Sequence, residues 1–255
     1  MLAAVGLIGG AGCGSPSAPR LETAADSLAL RFVDAGGGNA AWQALPAVRF
    51  DWIVRTDSAE MFRVKHLWDK AADRARIEWP VGEDSMLVTV LSPNLFAPDA
   101  PSGVAALTVG DAAPEILSGD AALDALRDGH ARWVNDTYWM VAPFKVFDPG
   151  VTRALAPDSG ATTLALSFGD VGLTPGDRYW LRLGADGSVA GWTYLLEGDT
   201  TATRWTWSDR REIGDPDAPV AVWAVKSKDG APLQIVTEPM PMPADDVLED
   251  LAPVL

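Results

Sequence analysis

Apolar and polar residues alternate with a period of two along much of this chain. In Val48–Trp52 the apolar positions alternate with Arg49 and Asp51, and Arg74–Trp79 repeats the scheme. In Phe62–Asp69, positions 62, 64, 66 and 68 share one face and the basic residues share the other. Because alternate side chains of a strand point to opposite faces, this pattern predicts antiparallel strands with one solvated side.

Three stretches have the helical period instead. Leu21, Ala25, Leu28 and Phe32 follow spacings of four, three and four, which predicts an amphipathic helix that ends at the glycines 36–38. A short second helix is expected from Asn39 through Trp42. A third is expected to begin at Asp120 and to end at Asn135-Asp136, with an apolar stripe that consists of Leu123, Leu126, His130 and Trp133 or Val134.

The remaining segments complete a chain of about ten strands. Residues 86–91 predict a buried fourth strand, and the prolines of residues 92–117 predict a long loop with a short extended piece. A second series of strands is expected at 162–168, 179–183, 189–196, 201–207, 220–226 and 233–238. The order predicts an α+β fold: a strongly curved antiparallel sheet, an open barrel, with two or three helices packed on its concave side.

Cys13 is the single cysteine, and it follows an apolar, glycine-rich start. The segment Gly10-Ala11-Gly12-Cys13 matches the last two positions of the box that a lipoprotein signal peptidase cuts, after which the thiol is acylated. The alternative is an N-terminus with an incidental cysteine. The apolar run is shorter than the roughly 20 residues that span a bilayer. We therefore expect a signal-like segment at 1–12, a tether at 13–21, one domain at 22–238 and an acidic, proline-rich tail at 239–255.

The composition indicates which classes of binding partner are disfavoured. The chain has 35 acidic and 20 basic residues, a net charge of −15, which disfavours nucleic acid and anionic lipid surfaces. One cysteine and two histidines, His66 and His130, give no zinc motif, so we expect no metal and no cofactor.

Several segments resemble the outer-membrane lipoprotein-sorting (LolA/LolB-like) half-barrel family. The resemblance lies in Asp34–Gly38 with Trp42 and Val48–Trp52, in the run from Asn135 to Gly150, and in Tyr179 onward with Trp192-Thr-Tyr194. The resemblance covers roughly residues 22–238. It is strongest to one branch of the family, and that branch has no assigned activity. It implies an open barrel whose apolar concave face holds acyl chains. Three glycines stand here where His-Gly-Gly is common, so that histidine's role does not transfer.

Catalytic motifs are weak. The sequence contains no Gly-x-Ser-x-Gly elbow. His66, on the face with Phe62, Val64 and Trp68, either contacts a ligand headgroup or is satisfied inside the core by a carbonyl or carboxylate. Lys145 either anchors a carboxylate or phosphate at a cavity mouth or extends past its aromatic neighbours.

The eleven tryptophans either line a cavity or fill the space between sheet and helices. We expect an apolar ligand site and no enzyme. The predicted ligand-binding residues are Trp52, Phe62, Val64, His66, Trp68, Trp79, Tyr138, Phe144, Lys145, Trp205 and Trp207, and Cys13 is the predicted lipid anchor.

The expected function is therefore a lipid-anchored, monomeric envelope protein, facing the periplasm or the cell surface, that binds a lipid, acyl chain or other apolar molecule. One alternative is a structural or interaction lipoprotein with a filled barrel. The other is a hydrolase of envelope lipid or glycan that uses His66 or the acidic residues near it.

Overall fold

The computed structural model describes residues 21–157, 162–169, 173 and 176–240. Cys13, the predicted signal-like segment and all but the first two residues of the predicted tail lie outside these residues. The described helices are α1 (Ala24–Ala35), α2 (Asn39–Ala44) and α3 (Gly119–Val141), with 3-10 turns at Pro93–Leu95 and Ala142–Phe144. No described helix has the length and apolar character needed to cross a bilayer.

Thirteen strands form one antiparallel sheet within the described residues. They are β1 (Ala47–Thr56), β2 (Glu60–Asp69), β3 (Arg74–Pro80), β4 (Ser85–Leu91), β5 (Gly103–Val109), β6 (Glu115–Ile116), β7 (Val151–Leu155), β8 (Thr163–Phe168), β9 (Arg178–Leu183), β10 (Val189–Leu195), β11 (Thr203–Ile213), β12 (Val220–Lys228) and β13 (Leu233–Met240). The sheet order runs from β6 down to β1, then from β13 down to β7, so β6 and β7 are its edges and the sheet is open.

The predicted fold class is confirmed: a curved, open antiparallel sheet with helices packed against it. The core lies between them. Trp68 of β2 meets Trp133 of α3 edge-on, with ring centroids 5.1 Å apart. Phe50 and Val64 of the neighbouring strands are fully buried on the same side. The alternation in the sequence therefore predicted correctly which side chains of the first strands point into the core.

Two predicted boundaries are wrong. Residues 92–117, predicted as a long loop with a short extended piece, contain two strands, β5 and the short β6. Helix α3 continues through the predicted stop at Asn135-Asp136 to Val141. Asp136 is 2% exposed and bonds to His66 on the sheet, so a tertiary contact replaces the local backbone bonds that usually make Asp a helix terminator.

Helix α3 lies very close to the sheet at one glycine. A Cβ atom at Gly129 would stand 2.2 Å from the Thr89 Oγ1 of β4. Any larger residue would push the helix outward. Gly129 therefore sets the depth at which α3 packs, and with it the position of the aromatic residues at the C-terminal end of the helix.

Candidate functional site: an aromatic cavity beside helix α3

A cavity of about 350 Å³ lies between the C-terminal half of α3 and the ends of β8, β9 and β10. Its lining residues are Val134, Asn135, Tyr138, Trp139, Phe168, Leu173, Asp177, Tyr179, Trp192, Tyr194 and Leu196. Leu173 and Leu196 are 50% and 40% exposed, so they mark the opening to solvent. A dry apolar cavity of about 150 Å³ holds benzene. This cavity therefore suits a molecule of roughly ten to twenty non-hydrogen atoms.

The cavity wall is a continuous cluster of aromatic rings. Trp192 is central: its ring stacks on Tyr138 at 5.6 Å and meets Trp139 edge-on at 4.5 Å. Tyr179 lies 5.2 Å from the same indole. Such pairs add about 0.5–1.5 kcal/mol each beyond the burial of their area, so the wall is a well-held surface.

A bulge in β10 determines how Trp192 is presented. The register with β9 shifts between Val189 and Gly191, and Gly191 has φ 145°. A Cβ there would lie 2.1 Å from the carbonyl oxygen of Trp205 on β11. Only glycine allows this approach, and the bulge sets the direction of the residues that follow it.

Asp177 is the carboxylate among the described lining residues, and it is 1% exposed. Tyr179 donates its hydroxyl hydrogen to Asp177 Oδ2 at 3.3 Å, and the backbone N–H of Glu197 donates to Oδ1 at 2.8 Å. The carboxylate therefore joins the start of β9 to the loop after β10. Burial, and then the nearby Asp177 charge, raise the pKa of Tyr179 above its ordinary value, so this phenol is neutral at pH 7.

Several hydrogen-bond donors around the wall have no partner among the described residues. They are the Tyr138 hydroxyl and the indole N–H groups of Trp192, Trp205 and Trp207. A buried donor without a partner costs about 1–3 kcal/mol. Burial raises the pKa of Tyr138, so its hydroxyl keeps its hydrogen. These groups provide a largely apolar site with a few hydrogen-bond donors that have no partner among the described residues.

Of the predicted site residues, Tyr138 lines this cavity, and two others stand directly behind it. Trp205 contacts Trp139 at 4.9 Å, and Trp207 contacts Trp192 at 5.4 Å.

The rest lie elsewhere. Trp68 and Phe144 both pack on Trp42, at 5.8 and 5.0 Å. Phe62 and Trp79 face the Arg132 guanidinium at 5.2 and 5.0 Å. Val64 is fully buried on β2, and Trp52 is partly buried on β1.

His66 and Lys145 are engaged with carboxylates away from the cavity. His66 Nε2 and Asp136 Oδ2 share a hydrogen bond of 2.8 Å, and the imidazole stacks on Phe50 at 4.6 Å. This matches the alternative in which a core carboxylate satisfies the histidine. Lys145 Nζ donates to Asp148 Oδ2 at 3.0 Å.

Sequence reasoning missed most of the wall. Tyr179, Trp192 and Tyr194 were named only as part of a family resemblance, and Asp177 was not predicted as a site residue. The alternation of Trp192 and Tyr194 on one strand carried a usable signal. The sequence did not indicate that the C-terminal turns of α3 reach these strands, because the predicted helix ended before those turns. No group of three or more His, Cys, Asp or Glu side chains among the described residues is placed to hold a metal ion.

No protein-family model matches the sequence, and no curated protein matches it. Among solved structures, the chain is similar to the LolA superfamily protein NE2245 from Nitrosomonas europaea, at 12% identity and a TM-score of 0.35, over 88% of this chain and 96% of that one. It is also similar to MucB in its complex with MucA(peri), at 12% identity and a TM-score of 0.18, over the same shares.

Proposed function

We propose that this protein binds a small apolar molecule, such as a lipid, an acyl chain or another apolar compound, in the aromatic cavity beside α3. The observation that carries the proposal is the cavity itself: about 350 Å³, open at Leu173 and Leu196, and walled by six aromatic residues. Ligand sites are typically concave and mostly apolar, with a few polar groups that orient the ligand. The unpartnered Tyr138 hydroxyl and Trp192 N–H are groups of that kind.

The volume limits the size of the ligand. Pockets for drug-sized molecules span about 300–1,000 Å³, and this cavity lies at the lower end of that range. One short chain or one ring system fits this volume, whereas several long acyl chains exceed it. The proposed role is therefore retention of a single compact ligand.

The proposal also includes attachment to a membrane of the cell envelope through acylated Cys13. The sequence Gly10-Ala11-Gly12-Cys13 supports it. Radioactive palmitate labelling of cells that express the full chain tests it, with Cys13→Ser as the matched variant. Label in the wild-type chain and none in the variant is expected, whereas equal labelling of both would contradict acylation at Cys13.

Binding is tested with the neutral fluorescent probe N-phenyl-1-naphthylamine and the full chain. We expect its emission to rise on binding. Val134→Trp should weaken binding at least tenfold, because a large side chain from α3 would occupy the cavity. The matched control is Val81→Trp, at a position 45% exposed and outside the cavity lining.

Equal binding by both variants and the wild-type chain would place the probe outside the cavity and contradict the proposal. No binding by the wild-type chain would support the alternative of a structural protein with a filled interior. Far-UV circular dichroism of both variants shows whether a loss of binding comes from a loss of fold.

A further inference from the structure

We infer that the cavity selects ligands that carry a cationic, alkylated nitrogen, and that it rejects fatty-acid anions. This inference rests on the proposed function and specifies the chemistry of its ligand. It combines three observations: a carboxylate with no basic residue beside it among the described lining residues, six aromatic rings around the same space, and a contrast with aromatic residues elsewhere in the described chain.

The first observation is that the described cavity lining carries an acidic side chain and no basic one. Asp177 lines the cavity and is buried. None of the described lining residues is lysine, arginine or histidine. A carboxylate or phosphate on a ligand would meet like charge in a poorly solvated site, where such repulsion is strong.

The second observation is the number of aromatic rings. Tyr138, Trp139, Phe168, Tyr179, Trp192 and Tyr194 all line the same space. The faces of aromatic rings attract cations, and several rings around one quaternary ammonium group form a well-known recognition site. Such a nitrogen has no N–H to leave unpaired and is surrounded by apolar methyl groups, so it loses little hydration in an apolar cavity.

The third observation is a contrast within the molecule. Elsewhere in the described chain, several aromatic residues contact the protein's own cations. Lys70 Nζ lies 3.7 Å from the Trp42 ring centroid, and the Arg153 guanidinium lies 4.7 Å from that of Phe147. Arg132 lies between Phe62 and Trp79. The aromatic cluster around the cavity is the largest described. Lys226 contacts Trp207 behind the wall, with Nζ 5.2 Å from the ring centroid. No lysine, arginine or histidine is among the described lining residues, so a ligand can supply the cation at the inner surface.

The experiment is isothermal titration of the full chain, below micelle-forming concentrations and in 150 mM salt, with three probes of equal chain length. They are decyltrimethylammonium, decanol and decanoate. We expect decyltrimethylammonium to bind at least tenfold more tightly than decanol, and decanoate to bind most weakly.

Two cavity variants and one control connect the preference to the site. Asp177→Asn should weaken decyltrimethylammonium binding about tenfold and leave decanol binding unchanged, since the asparagine Oδ1 still accepts the Glu197 N–H. Tyr194→Leu removes one ring face and should act in the same direction; it decides the question if Asp177→Asn does not fold. Asp124→Asn also removes one negative charge, from a side chain 76% exposed on the first half of α3, and should change nothing.

The outcomes separate the two proposals. If decanol binds as tightly as the ammonium probe, or decanoate binds more tightly, the cavity binds apolar molecules but the charge selection is wrong. If Asp124→Asn lowers ammonium binding as much as Asp177→Asn, the attraction belongs to the net charge of −15 and the inference fails. If no probe binds, the proposed function fails as well.

Discussion

Lys226 is a fully buried amine on β12, and the described residues give it no carboxylate partner. Its Nζ donates to the carbonyl oxygen of Trp223 and to Thr237 Oγ1, the latter at 2.6 Å, and it lies 5.2 Å from the ring of Trp207. Burial lowers the pKa of this amine well below its ordinary value. Folding therefore removes Lys226 from water at a cost that its neutral partners offset only in part.

We expect the double variant Lys226→Met with Thr237→Val to raise the free energy of unfolding at pH 7 by about 1–3 kcal/mol, because well-packed apolar replacements of buried charged groups are often stabilising. The second change prevents the Thr237 hydroxyl from being left without its partner. Urea denaturation followed by circular dichroism measures the difference. A less stable double variant would show that the amine contributes net stability.

The pH dependence gives a second test of the same residue. In the unfolded chain Lys226 binds a proton below about pH 10.4, whereas the folded chain disfavours that proton. The stability of the wild-type chain should therefore rise as the pH increases from 7 toward 10. The double variant should lack this part of the slope, and identical slopes would contradict the lowered pKa.

At the scale of single residues, the sequence predicted which face of a strand a side chain lies on better than it predicted what that side chain contacts. Positions 62, 64, 66 and 68 do share one face of β2, because side-chain alternation is a local property of the strand. The roles of His66 and Lys145 depended on Asp136 and Asp148. His66 and Asp136 are 70 residues apart in sequence, and no local pattern could bring them together.

At the scale of elements, the contact between α3 and β4 depends on Gly129. Alanine in a helix is more favourable than glycine by about 1 kcal/mol, so an exposed Gly→Ala change would stabilise. Here the added Cβ would overlap Thr89, and overpacking a core costs about 1–3 kcal/mol. The overlap is severe, at 2.2 Å, so we expect overpacking to dominate and Gly129→Ala to lower the unfolding free energy by about 1–2 kcal/mol.

The companion change Thr89→Ala should restore part of that loss, since it removes Oγ1 and Cγ2 and leaves only the Cβ contact at 3.1 Å. A double-mutant cycle of thermal unfolding free energies measures this coupling. Additive effects in the cycle would mean that the helix and strand do not meet at this point.

The strands were more predictable than the ends of the elements. β1, β2 and β3 follow clear alternation with a charged outer face and were predicted within a few residues. β7 was missed, and β5 was predicted only as a short extended piece, because prolines and glycines surround both; their pairing with β8 and β4 is what makes them strands. The predicted α3 was too short for a related reason: a contact with the sheet overrides the local stop signal in the sequence.

At the scale of the whole molecule, Asp26 joins the first helix to an edge of the sheet. Asp26 Oδ1 accepts a hydrogen bond of 2.9 Å from Arg153 Nε on β7, and its other oxygen accepts from Thr23 in the capping box of α1. The Arg153 hydrogen bond, and then that of Thr23, lower the pKa of Asp26 to about 2.

A carboxylate with a lowered pKa contributes stability that is present above its unfolded value of about 3.9 and is lost as the pH falls toward 2. We expect Asp26→Asn to destabilise the protein at pH 7 and to reduce the loss of stability between pH 5 and pH 2.5. Urea midpoints at three pH values measure this. If the loss of stability on acidification is the same in the variant, Asp26 is not the group responsible for it.

The sheet order has a consequence for how the protein acquires its structure during synthesis. Each pair of neighbouring strands is consecutive in sequence except β1 and β13. The β1–β6 and β7–β13 halves are therefore two meanders that each need only short loop closures, whereas the join between them links residues such as Arg55 and Gln234, 179 positions apart. Closing so long a loop is slow and entropically costly. We therefore expect the centre of the sheet, where β1 meets β13, to form after the two meanders.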